Sequence, residues 1–462
     1  MRRIGFSAGG AGGPATLIVS GDDLQRTKRM APVPQGRAQR FLHLGFAVGE
    51  LFAGAAAHGL TRLSRGEPLP LQQLLFAPAN ARRLAGRLST MRGAVMKVGQ
   101  LMSMDANGVL PAEFAELLGG LRDQAHTMPA DQLAETLSRE YGSHWHRRFR
   151  SFSFQPIAAA SIGQVHRAQT HDGRTLALKI QYPGVRQSID SDVANLALLA
   201  RTPGLVPAGL DLAPLLERAR EQLQHETDYR AEARALTDYR DQLGEDPVLV
   251  VPAVVEEHCT DHILATGFAT GRSLAGLMGE GLSQAQRDHL ASALCRLSVR
   301  ELFQMQLVQT DPNPGNYLFD PDTGRIALLD FGATEAIGRD RMEQLRTLTR
   351  ALRDADRTAT SAAAESIGFT DARDPPEQTV AVIDMMLLAG EPLRHHGRYD
   401  FGETDLFGRV FEQGRTQFYA SGFAGTPPTD LIFLQRKFVG IFMLCSRLRA
   451  RVDLAALFDP WL

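Results

Sequence analysis

Gln309-Thr310-Asp311-Pro312-Asn313-Pro314-Gly315-Asn316, followed by Leu328-Leu329-Asp330-Phe331-Gly332, decides how the rest of the chain is read. An Asp stands five residues before an Asn, and a second Asp closes a short apolar run ahead of Phe-Gly. Pro312 and Pro314 each fix φ and lower the entropy cost of holding the loop in one shape. Tyr317-Leu318-Phe319 predicts a strand, the turn Asp320 to Gly324 reverses the chain, and Arg325 to Asp330 predicts a second strand. Such a hairpin brings Asn316 and Asp330 to one end of a sheet, where their oxygens suit a hard cation such as Mg²⁺. Asp311 is then placed to orient an attacking hydroxyl or water. Phosphoryl transfer needs little more than a fixed nucleophile and metal ions bridging phosphate oxygens. An Asx-capped Pro turn is common, and so is a stray Asp-Phe-Gly. Joined by a strand at this spacing, they make chance a poor account.

The phosphoryl-transfer template of protein kinases also needs a strand Lys for the α and β phosphates and an acid to orient it. Lys179 fits, inside Leu176-Ala-Leu-Lys-Ile180, because a Lys in an apolar strand is costly unless paired. A charged helix expected from about Leu212 carries Glu226, Asp228 and Glu232, the last two sharing a face. The bland account is a solvated face on which Arg230 and Arg234 satisfy these acids. Upstream of the Lys strand, Ala158-Ala159-Ala160-Ser161-Ile162-Gly163-Gln164-Val165 takes the place of a Gly-rich phosphate cover. Alanine lacks the positive-φ freedom of glycine, which predicts a stiffer loop that approaches phosphates less closely. Ala265 to Gly271, with Phe268 at its centre, suits an inter-lobe hinge whose backbone groups read an adenine edge.

The chain has 462 residues, 44% hydrophobic and 22% charged, ordinary for a soluble globular protein of two or three units. A formal charge of -2 argues against a general nucleic-acid binder. Charge is uneven locally, since residues 1–41 hold seven Lys or Arg against Asp22 and Asp23. Cys259, Cys295 and Cys445 are far apart in the chain and form no CxxC pair, so they read as buried small hydrophobes in a reducing compartment. Residues 1–40 read as a disordered basic leader. Phe41, Leu44, Val48, Leu51 and Phe52 recur at helical spacing, predicting a helix that docks on the protein's own core or lies on a membrane surface. Residues 41–150 are mostly helical in pattern, and 151–265 form a small β-rich unit with apolar runs at Thr175–Ile180 and Pro247–Val255. Residues 266–462 are mainly helical, beginning with a helix over Ser283–Val308 that has Ser283 and Gln286 as a capping box.

Several segments together resemble the UbiB family of atypical kinases, its coenzyme Q subgroup in particular. They are Lys97-x-Gly99-Gln100, the Ala-rich loop with His166, Leu178-Lys179-Ile-Gln-Tyr-Pro-Gly184, and Glu226-x-Asp228-Tyr229 with Glu232. The Gln309–Asn316 loop and Leu329-Asp330-Phe-Gly-Ala333 complete the set. The resemblance implies an α+β, two-lobed, protein-kinase-like fold with a helical extension packed on the nucleotide lobe. It implies that Lys179 holds nucleotide, with Glu232 as its ion-pair partner. Asp311 matches the catalytic-loop Asp, and Asn316 and Asp330 match the metal ligands. The Ala158–Ser161 loop, Phe268, Lys97 and Gln100 border the nucleotide, the last two from a plug over the site where a protein substrate would enter. Glu226 and Asp228 are the family's companion acids to that plug.

Two departures matter. Thr310 stands where an Arg would precede the catalytic Asp, so control through a phosphorylated activation loop is not expected. The segment from Lys437 to Arg447 is too short and too basic to span a membrane. The implied protein binds ATP with Mg²⁺, hydrolyses it, and supports ubiquinone biosynthesis beside membrane lipids, quinone precursors or the enzymes that modify them. Its implied location is the cytoplasm, peripheral on the inner membrane, or the mitochondrial matrix in a eukaryote. A nucleotide- and lipid-binding scaffold with weak turnover is the rival reading.

Overall fold

The structure, a computed structural model, describes residues 128–200, 213–278, 281–421 and 429–462. The basic leader, the helix expected at Phe41–Leu60 and the Lys97–Gln100 segment lie outside these residues. In chain order the elements begin with α1 (Ala130–Tyr141), β1 (Ser151–Phe152), β2 (Ala158–Ala159), β3 (Gly163–Gln169) and β4 (Thr175–Gln181). Next come α2 (Val185–Ala200), α3 (Ala213–Glu226), α4 (Tyr229–Leu243), β5 (Leu249–Val250), β6 (Ile263–Gly267) and β7 (Arg272–Ser273). They are followed by α5 (Leu274–Leu277), α6 (Gln284–Arg300), β8 (Leu307–Gln309), β9 (Tyr317–Phe319), β10 (Ile326–Leu328) and β11 (Thr334–Ala336). The chain closes with α7 (Arg339–Arg353), α8 (Arg357–Ile367), α9 (Pro376–Ala389), α10 (Glu391–Arg394), β12 (Tyr399–Asp400), α11 (Leu406–Ser421), α12 (Thr429–Leu448), β13 (Arg451–Val452) and α13 (Leu454–Phe458).

The chain divides into two compact units. The first ends at Glu232 and adds Val254–Phe268; the second comprises Ala233–Ala253 and Ala269–Leu462.

In the first unit an antiparallel sheet runs β1-β3-β4-β6, with β2 paired to β3. Alternation along β4 buries Leu176, Leu178 and Ile180 on one face and turns Lys179 to the other. On β3 the buried face is polar, with Gln164 and His166 both inaccessible. Both are satisfied there. Gln164 Oε1 accepts Met128 N–H at 2.8 Å and its Nε2 donates to His166 Nε2 at 2.8 Å. His166 Nδ1–H is thereby left to donate to Ser153 O at 2.8 Å, which defines the neutral tautomer. Burial pushes the His166 pKa down to about 4.

The continuous charged helix expected from Leu212 breaks into α3 and α4. Gln181 Nε2 takes the Thr227 carbonyl at 2.7 Å, and Asp228 Oδ1 accepts Ala231 N–H at 2.8 Å. The chain thus turns at Thr227, and Asp228 restarts the helix as its N-cap.

The second unit holds a sheet in the order β5-β10-β9-β7. The expected hairpin is present, β9 pairing antiparallel with β10 in the register Phe319↔Ile326 and Tyr317↔Leu328. The Pro247–Val255 run does not form one strand. Leu249–Val250 joins β10 in parallel, whereas Val254 bridges Thr266 within the first unit. Helix α6 starts at the Ser283–Gln286 capping box but ends earlier than its apolar pattern suggested. It passes into a π-helical turn, Glu301–Met305, and Gln306 at φ 53° then releases the chain into β8. The widened turn points Glu301 inward among apolar neighbours. A core built from Val299, Leu302, Phe303, Val308, Met342, Leu431 and Leu434 lies beneath it. All three cysteines are buried and free. Cys295 and Cys445, remote in sequence, meet with Sγ atoms 3.6 Å apart.

Candidate functional site

In the first unit, Lys179 Nζ reaches Glu232 Oε1 at 2.6 Å and Oε2 at 2.9 Å. The ammonium also lies 5.1 Å from the centre of the Tyr229 ring, within range of a cation–π contact. Of the two acids the sequence offered, packing gives Glu232 to Lys179 and spends Asp228 on capping. The Lys179 side chain keeps 20% of its accessible surface and Glu232 keeps 3%, so the pair is open from the lysine side.

The Ala-rich loop is a short hairpin. Ala158 and Ala159 are exposed and pair with Val165 and Gln164, and Ala160 N–H closes the turn on Gly163 O at 2.9 Å. Ser161 Oγ donates to Glu226 Oε2 at 2.7 Å, tying the tip to the end of α3. A Cβ on Gly163 would collide with the Ile180 carbonyl, which is why glycine ends the turn there. Phe268 lies at the end of β6; its N–H is given to Thr175 O at 2.9 Å and its ring carries the Arg167 guanidinium at 5.0 Å. Its backbone donor is therefore committed within the sheet.

In the second unit, Asp311, Asn316 and Asp330 are gathered around the β9–β10 hairpin. Asn316 Nδ2 donates to Asp311 Oδ2 at 3.0 Å, leaving Oδ1 as the acceptor end of that amide. Leu329 N–H donates to Asn316 O at 3.0 Å, which sets Asn316 beside the residue preceding Asp330. One Asp330 oxygen accepts Gly332 N–H at 2.9 Å. Phe331 is buried against Tyr239, with ring centres 4.7 Å apart. Among the described residues no group of three or more His, Cys, Asp or Glu side chains forms a metal cage. The Asn316 amide oxygen and the Asp330 carboxylate nonetheless fit Mg²⁺, which binds through one or two protein oxygens plus substrate phosphates.

The contacts that hold the loop escaped the sequence reading. Thr310 uses both its N–H and its Oγ on Ala333 O, each at 2.8 Å, joining the loop to the segment after Asp-Phe-Gly. Glu301 Oε1 accepts Gln309 N–H at 3.1 Å and the Tyr239 hydroxyl at 2.7 Å, while Oε2 meets Lys437 Nζ at 2.9 Å. Arg436 Nε donates to Thr310 O at 3.0 Å, and its Nη2 lies 3.8 Å from Asp311 Oδ1. The signal that was available is a charge inside an apolar run, Glu301 beside Leu302-Phe303 and Lys437 beside Phe438-Val439. Such a charge must find a partner. A cavity of about 10 Å³, room for one water at most, lies among Tyr239, Glu301, Gln309, Tyr317 and Lys437.

Residues 120–364 match the family described as the ABC1 atypical kinase-like domain. The chain belongs to the ABC1 atypical kinase-like family. This agrees with the resemblance read from the motifs. The chain is 34% identical to the Saccharomyces cerevisiae protein named atypical kinase COQ8, mitochondrial, over 95% of this chain and 87% of that protein. It is 35% identical to the rat protein named atypical kinase COQ8B, mitochondrial, over 94% and 82% respectively. A Mycobacterium tuberculosis protein solved in complex with erythromycin has a similar fold, with a TM-score of 0.58 and 27% identity over 83% of this chain and 96% of that one. The fold is kinase-like, mixing helix and sheet.

Proposed function

We propose that this chain binds ATP with Mg²⁺ and hydrolyses it, in support of ubiquinone (coenzyme Q) biosynthesis at a membrane surface. The observation that carries the reading is the Asp311–Asn316 contact at the end of a hairpin that also delivers Asp330. Lys179 holds the α and β phosphates, exchanging part of its bond to Glu232 for them. Asn316 Oδ1 and the Asp330 carboxylate hold the cation, which when bound neutralises charge on the phosphate oxygens. Asp311 orients the attacking oxygen of water or another acceptor, and its own orientation is kept by Asn316 Nδ2–H. Lys97 and Gln100, outside the described residues, are assigned to the nucleotide site by the family resemblance alone. The adenine edge is read near Phe268 by groups other than its committed N–H.

The relatives named mitochondrial support a peripheral place on an inner membrane or in the matrix. No helix of the described residues is long and apolar enough to cross a membrane. Partners of this reading are membrane lipids, quinone precursors and the enzymes that modify them. A second reading, a nucleotide- and lipid-gated scaffold with little turnover, is favoured by the hairpin that Ala160, Gly163, Ser161 and Glu226 hold shut.

The test is ADP release from Mg²⁺-ATP by purified protein, with and without anionic liposomes, beside Asp330→Asn. Release by wild type that Asp330→Asn abolishes is the expected result. Equal background release by both, with ATP still bound by wild type, would leave the scaffold.

A further inference from the structure

In the kinase template a basic residue precedes the catalytic Asp. Here that position is Thr310, whose side chain is spent on Ala333 O. A cation reaches Asp311 from elsewhere, along one face of α12. Phe433, Arg436, Lys437 and Gly440 are spaced three and four apart and so share that face. Arg436 is the central contact, with Nε–H on Thr310 O at 3.0 Å and Nη2 at 3.8 Å from Asp311 Oδ1. Its side chain is 10% exposed, and Phe433 lies under the guanidinium at 5.9 Å. Lys437 binds Glu301, which in turn holds Gln309 N–H two residues before Asp311. Gly440 has no Cβ because one would run into the Pro312 ring. The start of the loop is thus fastened to α12 at Gln309, Thr310, Asp311 and Pro312.

We propose that Arg436 is the positioning residue of Asp311, its charge supplied from the C-terminal helix in place of the missing neighbour and its Nε–H holding the Thr310 carbonyl. This rests on the ATP-hydrolysis reading above. The Asp311 carboxylate is addressed from two sides, Oδ1 by Arg436 and Oδ2 by Asn316 Nδ2–H. A carboxylate held this way keeps one orientation while an attacking oxygen is aligned, so Arg436 acts on the turnover step and hardly on nucleotide binding. At 3.8 Å the guanidinium acts on the Asp311 carboxylate through its charge, while its Nε–H fixes the Thr310 carbonyl beside it.

The test compares full-length wild type with Arg436→Gln, which keeps a donor without the charge, and Arg436→Lys, which keeps the charge without the fork. Both are checked for unchanged thermal unfolding first. Expected for Arg436→Gln is a kcat for ADP release about 10- to 100-fold down, as misplacement of a catalytic group costs, with KM for ATP within about threefold. Arg436→Lys should recover most of that loss. A kcat for Arg436→Gln within about twofold of wild type overturns the proposal, and so does an equal loss in KM and kcat. Hydrogen–deuterium exchange of the peptide covering 307–319 reads the positioning without turnover. Faster exchange in Arg436→Gln than in wild type supports the proposal, and unchanged exchange overturns it. If wild type shows no Asp330-dependent release, the hydrolysis reading fails and the exchange result alone decides whether Arg436 positions Asp311.

Discussion

Lys179 and Lys437 each meet a glutamate at hydrogen-bonding distance, and the two pairs serve opposite ends. Lys179 sits in the middle of β4 with 20% of its side chain accessible, held to Glu232 by both carboxylate oxygens. Lys437 and Glu301 are 1% and 0% accessible. The alternation of a strand explains the first, since Lys179 projects from the face opposite Leu178 and Ile180, on the side where the proposed nucleotide would bind. The second is enclosed by helix α12, the π-helical turn and β8. Burial there works against the Lys437 charge, but the facing Glu301 outweighs it and raises the lysine's pKa. A buried pair of this kind adds little net stability over an apolar replacement, yet removing one partner is costly. The lesson is that one pairing chemistry leaves a lysine accessible to a ligand when one side is open and makes a structural bolt when it is closed.

The contrast is open to direct attack, beginning with the largest effect. Lys437→Met strands the Glu301 carboxylate in the interior and should cost about 3–5 kcal/mol in denaturant unfolding, most of it restored by adding Glu301→Gln, whose neutral amide oxygen still accepts Gln309 N–H and the Tyr239 hydroxyl. If the double variant is no more stable than the single one, the bolt is not an ion pair in its energetics. Next is the buried polar face of the first unit. The folded His166 pKa, pushed down to about 4 by burial, lies below the ordinary 6.5, so the unfolded chain binds the extra proton. Stability therefore falls as pH drops from about 6.5 to 4, by about 3 kcal/mol, and levels off below. His166→Gln should lose that slope; an identical pH dependence in wild type and variant would refute the neutral tautomer. Gly440→Ala forces a methyl group on Pro312 and should cost about 1–3 kcal/mol. Smallest in stability is Lys179→Met, at about 1–2 kcal/mol, because the partner it leaves is reached from the open side. Its larger signature is ATP affinity, expected to fall about tenfold or more by calorimetry. A Lys179→Met penalty as large as that of Lys437→Met would erase the distinction between the pairs.

Much of this was legible before the structure. The β9–β10 hairpin followed from two apolar runs around Asp320-Pro-Asp-Thr-Gly324, and the α6 start followed from Ser283 and Gln286, because both signals are local. Local pattern narrowed the acid facing Lys179 to Asp228 or Glu232, and only the family resemblance pointed to Glu232. Choosing between them needed the helix break at Thr227, which hangs on Gln181 from a different element. The extent of α6 was misread because an apolar periodicity carries on through a π-helical turn and a short strand without interruption. Arg436, Glu301 and Lys437 stood in plain view as charges in apolar runs, with nothing local to say what they met. The contact between Cys295 and Cys445 was hidden in the same way.

By itself the sequence determined the strand alternation that faces Lys179 away from the core, the hairpin that sets Asn316 near Asp330, and the motif spacing that marks an atypical kinase family. These depend on backbone periods and on turns a few residues long. Tertiary structure alone decided which carboxylate Lys437 holds, which arginine stands by Asp311, and which pair is open. Charge pairing varies with distance and with access of water, and both are set by side chains that meet only after distant segments have packed.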